Sequence, residues 1–320
     1  MKRTKRTSRP KKKTKTTVAQ KRTKKRQVKA TAAAQKKKGS SALPRILAIA
    51  IGDPANNRTI DSIFALALPY QCRYYISGMV DQLMRQSTQR ILGADYVIDY
   101  QECWEGDETF TVTTDTKLVL CMSTPVMNAA VAANVQVPIV GVTSTPGNFK
   151  GNVCGVNAQR TAKPIKYYNH FQNDLGAGAT ITLLNRTGNP VSEACKTAIL
   201  QQGNPVPGVA EVAFPIGTDP QQSIIAAINN IKPVNAGDGL LVLPVDVFFG
   251  FAHKINTTAE SRGMKVFWPA EEFARHHHSH YGSPQVVCGQ NFGKQADYIL
   301  SHGAVPSGNN PLQWITVDPR

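Results

Sequence analysis

A repeating rhythm constrains this chain most: short apolar runs, each closed by a small polar loop and followed by a stretch with helical spacing. Ile46 to Ile51 is such a run and ends in Gly52-Asp53-Pro54. Tyr70 to Leu92 follows, with Tyr75, Met79, Leu83 and Ile91 at helical intervals. Further strands are expected at Tyr96–Tyr100, at Lys117–Met122 before Ser123-Thr124-Pro125, and at Val137–Val142 before Thr143-Ser144, with a helix at Val126–Asn134. The rhythm then restarts. Helices at Thr161–Leu175, Val191–Gln202, Pro220–Ile231 and Phe248–Arg262 alternate with strands at Ala179–Leu184, Val209–Pro215, Gly239–Leu243 and Lys265–Trp268, and Asn291–Ser301 is the last helix. Runs without polar alternation suit strands buried on both faces, and alternation with helices suits parallel sheets under helical layers. Two rounds of similar length predict an α/β chain of two Rossmann-like lobes with a ligand cleft between them.

Open α/β sheets bind ligands at the carboxyl ends of their strands. Here those ends carry Gly52-Asp53, Ser123-Thr124, Thr143-Ser144, Asn185-Arg186 and Asp246. Taken singly, each reads as an ordinary helix N-cap. The five together, all in the expected place, point to a cleft whose hydroxyls and helix N-termini suit a carboxylate or phosphate.

Charge divides the chain differently. Residues 1–41 hold 18 Lys and Arg and no acid. The chain's 37 basic residues less those 18 leave 19 against 21 acidic, a net of −2 for the remainder. A segment so poor in Leu, Ile and Phe cannot offset its ordering entropy, so residues 1–42 are expected to form a disordered Lys/Arg-rich tail. Lys2 to Lys38 would attract nucleic acid or another polyanion without reading sequence, because no aromatic side chain interleaves with the basic ones. A solvated tail without a specific use fits equally well. No apolar run approaches ~18 residues, so no membrane span is expected. Nor does an apolar region follow the basic N-terminus, which implies a cytoplasmic location. The six scattered cysteines contain no CxxC pair and read as reduced, partly buried thiols.

Catalytic signatures are missing. Neither GxxxxGK[ST] nor GxSxG occurs, and Gly176-Ala177-Gly178 precedes a strand where a dinucleotide fingerprint would follow one. His276, His277, His278 and His280 lie near Glu271 and Glu272, but adjacent side chains in a loop diverge, so a solvated polar loop is the better reading than a metal site. No enzyme, cofactor or metal is expected.

Several stretches resemble one family. Val137-Pro138-Ile139-Val140-Gly141-Val142 followed by Gly151-Asn152-Val153-Cys154-Gly155-Val156 is similar to the link between the lobes of ABC-transporter substrate-binding proteins with the type 1 periplasmic-binding fold. The branch includes tryptophan/tyrosine-binding components. Asp238 to Asp246 resembles its late strand with a cleft-facing aspartate. Met264 to Phe273, then Tyr281-Gly282, resembles the return to the first lobe, and Ala296 to Leu300 with Gly303-Ala304 and Pro306 its closing helix. The resemblance spans roughly residues 44–317. It departs from the family in its cationic tail, its histidine cluster and its end at Arg320.

The resemblance implies lobe 1 at 43–147, completed by about 288–303, lobe 2 at 148–287, and a C-terminal segment at 304–320. It implies a solute-binding protein, working by hinge closure on an amino acid or small carboxylate. Asp53, Ser123, Thr124, Thr143 and Ser144 would face the ligand from the first lobe, and Asn185, Asp246 and Tyr281 from the second. An ABC permease would be its partner and the periplasm its location. The alternative is a non-exported ligand sensor or interaction protein whose basic tail binds nucleic acid or another polyanion.

Overall fold

The computed structural model describes residues 43–66, 70–158, 164–175, 178–232, 235, 237–269, 273 and 284–318. The expected tail, the histidine cluster with Glu271 and Glu272, and Tyr281 lie outside them. The body from Leu43 to Arg320 is one compact unit.

Two sheets carry it. The first has seven strands in the order β11-β6-β5-β4-β1-β3-β2. They are β1 (Arg45–Ile51), β2 (Arg58–Ile60), β3 (Val97–Cys103), β4 (Thr116–Cys121), β5 (Ile139–Thr143), β6 (Val153–Ala158) and β11 (Trp314–Val317). All pair in parallel except β2, which runs antiparallel to β3. The second sheet is fully parallel, in the order β10-β9-β7-β8, from β7 (Ile181–Arg186), β8 (Gly208–Val212), β9 (Gly239–Val242) and β10 (Lys265–Phe267). The helices are α1 (Tyr70–Arg85), α2 (Thr124–Ala132), α3 (Pro164–Leu175), α4 (Pro190–Gln202), α5 (Gln221–Asn229), α6 (Asp246–Gly250), α7 (Ala252–Glu260) and α8 (Gln285–His302).

Alternation along β1 shows why an all-apolar strand belongs here. Ile46, Ala48 and Ala50 join one buried cluster, with α1 and α8, while Leu47, Ile49 and Ile51 join another on the opposite face. That second cluster continues through Val245, Val247 and Phe248 to Leu240, Val242 and Trp268 of the second sheet's side. One apolar core therefore runs through both lobes. On the outer face of the first sheet, α1 and α8 lie close together because glycines face across the contact. A Cβ on Gly78 would stand 2.5 Å from the Val286 carbonyl oxygen, and one on Gly289 would stand 2.3 Å from that of Tyr75.

Three boundaries differ from the sequence expectation. β6 lies in the first sheet, past residue 147, because Val153, Cys154 and Val156 are buried on its two faces and pair with β5. β11, within 304–320, adds to β6 in the same sheet. The helix expected from Phe248 starts at Asp246 and breaks at Phe251, whose backbone (φ −107°, ψ 18°) separates α6 from α7. All six cysteines are buried free thiols. No helix among the described residues is long and apolar enough to cross a membrane.

Candidate functional site

The strand orders place a switch point between β1 and β4 in the first sheet and between β7 and β9 in the second, where open α/β sheets leave a crevice. The carboxyl ends of both sheets line one cleft. Ser123, Thr124, Thr143 and Ser144 come from the first, Asn189, Val191, Val245 and Asp246 from the second, with Ala158 at the end of β6. Its empty space is about 540 Å³, partly open to solvent.

Local chemistry fixes the hydroxyls. Ser123 is buried and caps α2, its Oγ accepting from the Val126 N–H at 3.4 Å. Pro125 has no N–H to offer. The first turn of α2 thus leaves fewer backbone donors than a bare helix start, and the side-chain hydroxyls become the main polar surface. Thr124 Oγ1 donates to Thr143 Oγ1 at 3.0 Å, and Thr143 Oγ1 also accepts from the Thr145 N–H at 3.1 Å. Asn157 sits opposite Thr143 in the β5–β6 register, and its buried Oδ1 has no hydrogen-bond partner. Asn157 is not among the residues that line the cleft.

Five of the expected residues, Ser123, Thr124, Thr143, Ser144 and Asp246, are therefore brought together. Asp53 and Asn185 are not with them. Asn185 is fully buried, and its amide donates to Glu193 at 2.9 Å and Glu211 at 2.6 Å while accepting from Ser192 at 2.7 Å. Its neighbour in the loop, Asn189, reaches the cleft instead. Arg186 is also engaged. Its Nε donates to Glu105 Oε2 at 2.9 Å, its other nitrogens to the carbonyls of Thr187 and Phe214, and it lies 3.6 Å over the Phe214 ring. Glu105 Oε1 accepts from Asn189 Nδ2 at 2.9 Å, so one carboxylate from the loop after β3 ties down the loop after β7.

Asp53 borders a second cavity, with Gly52, Asn56 and Glu102 on the first lobe's side and Gln221, Gly250, Phe251, His253 and Lys254 on the other. It has about 580 Å³ of empty space, partly open to solvent. α6 separates the two spaces. Asp246 at its start borders the first, Gly250 at its end borders the second, and between them Val247 and Phe248 are buried against β1 and α1. Glu102 is 4% exposed. Burial pushes its carboxyl up from the usual range, although Asn56 Nδ2 (2.8 Å), the Tyr100 hydroxyl and the Asp53 backbone N–H all donate to it.

Glu102, Glu105 and Asn189 escaped the sequence reading. Asn189 alone carried a local signal there, since it precedes Pro190 at a helix start. The other two depend on contacts distant in sequence.

No family model matches the chain, and no curated protein does. Solved structures do. A conserved domain protein from Vibrio cholerae superposes with a TM-score of 0.57 at 13% identity, covering 86% of this chain and 90% of its own. A sugar-binding transcriptional regulator of the LacI family from Enterococcus faecalis gives 0.55 at 11%, covering 88% and 97%. The ABC domain in complex with L-Trp from Streptococcus pneumonia gives 0.53 at 14%, covering 87% and 90%. The fold is periplasmic-binding-protein-like. At these identities the likeness is one of fold, and the periplasmic-binding-protein-like arrangement of two parallel sheets agrees with the strand orders above.

Proposed function

We propose that this chain binds a small carboxylate or amino acid between its lobes, in the manner of the substrate-binding component of an ABC transporter. The observation that carries this reading is the cleft walled by both sheets, with hydroxyls on one side and Asp246 on the other. Ser123, Thr124, Thr143 and Ser144 would hold the acid group, and Asp246 would accept from an amine or hydroxyl. Contacts made from both lobes at once favour the closed arrangement, so the ligand would shift the population toward closure. Among proteins of this fold, one is described in complex with L-Trp and another as sugar-binding.

The test is thermal melting of the full chain against amino acids, small carboxylates and sugars. A ligand at ~100 times its dissociation constant adds nearly 3 kcal/mol. Loss of that shift in Asp246→Asn and Thr124→Ala is the expected result. An unaltered shift in both variants would count against the cleft.

A second reading has its own observation, the 18 Lys and Arg without an acid in residues 1–41. There the same body is a ligand sensor, and the basic segment contacts nucleic acid. Binding of a mixed-sequence RNA should then weaken steeply with salt. Binding that ignores salt would reject it.

A further inference from the structure

The second cavity opposes unlike charges. One wall carries Asp53 and Glu102, and the other carries Lys254 with His253 beside it. Glu102 is nearly buried, and the groups that donate to its carboxyl among the described residues are neutral: the Asn56 amide, the Tyr100 hydroxyl and the Asp53 N–H. A carboxyl removed from water without a cation is costly, and a ligand ammonium would offset that cost. Lys254 is exposed and has no ion-pair partner among the described residues. Phe251, on the side of Lys254, adds apolar surface to the lining.

We infer that this cavity is a binding site for an α-amino acid held as a zwitterion, its ammonium on Glu102 and Asp53 and its carboxylate on Lys254. The inference goes beyond the proposed function: it adds a second site, on the far side of α6 from the hydroxyl-lined cleft.

Calorimetric titration of the full chain with L-leucine, isoamylamine and isocaproate separates the charges, since each analogue lacks one. The expected result is that leucine binds and each analogue binds at least about tenfold more weakly. Lys254→Ala and Glu102→Gln should each weaken leucine by about tenfold. Should Glu102→Gln fail to fold, Asp53→Asn and the exposed Lys254→Ala still decide. Leucine binding lost in Asp246→Asn but kept in Lys254→Ala overturns the inference and leaves the hydroxyl-lined cleft as the site. Isocaproate or isoamylamine binding as tightly as leucine overturns it as well. Absence of any leucine binding also overturns it, while the wider melting panel judges the proposed function separately.

Discussion

The two spaces on either side of α6 have the same architectural origin and opposite chemistry. Both lie at the carboxyl ends of parallel strands and both are walled by two lobes. One is lined by hydroxyls that bond to one another, the other by carboxylates facing a lysine and a histidine. Position in the fold thus supplies a crevice and says little about what enters it. The partition comes from a five-residue helix.

The largest break is expected at the rim of the hydroxyl-lined cleft. Glu105→Ala leaves Arg186, whose side chain is 9% exposed, without its carboxylate. Removing one partner of a buried pair costs about 3–5 kcal/mol, and the two carbonyls and the Phe214 ring still holding Arg186 favour the lower end. Urea unfolding measures the loss, and an unmoved midpoint would show that the tie contributes nothing. The variant also frees the Asn189 amide, so acetate should bind more tightly to it than to the parent.

The carboxylate-lined cavity breaks through pH. Burial raises Glu102 in the folded state, so the native protein keeps that proton to higher pH than the unfolded chain does. The stability this contributes is fully present below the usual glutamate value of 4.5 and is lost as pH rises through the folded-state value. Asp238 acts oppositely: burial raises it, but the Thr180 and Asn235 N–H groups outweigh burial and lower it, so its contribution is lost as pH falls. The informative quantity is therefore the difference between Glu102→Gln and the parent. Across pH 4.5 upward the variant should lose less stability by melting; parallel curves would assign Glu102 no such role.

Much of this comparison was legible in the sequence, for a physical reason. Strands buried on both faces must be apolar throughout, so β1, β4 and β9 stand out as runs, and their closing loops mark the crevice. Ser123, Thr124, Thr143, Ser144 and Asp246 were found that way. Glu102 was hidden because β3 runs past Tyr100 to Cys103, placing a carboxyl inside a strand where no loop signal marks it. Asn185 misled because the same loop signal arises when an amide organises the loop itself through Glu193, Glu211 and Ser192. Glu105 carries no local pattern at all. Its role depends on Arg186 and Asn189, about eighty residues away, and charge complementarity across that distance leaves no trace in spacing.

The smaller effects sharpen the comparison by separating folding from binding. Ser123→Ala removes the cap of α2 and should cost about 1 kcal/mol in urea unfolding whether or not a ligand is present. A loss confined to ligand-bound protein would instead make Ser123 a ligand contact and not a cap. Lys254→Ala is the opposite case. Its side chain lies on the exposed surface of α7 and forms no ion pair among the described residues, so its removal should change stability by no more than about 0.5 kcal/mol. Any larger change in the ligand-free protein would mean that Lys254 already compensates Asp53 or Glu102 across the cavity. The two walls would then be joined by the protein's own charges, with no place left for a zwitterion between them.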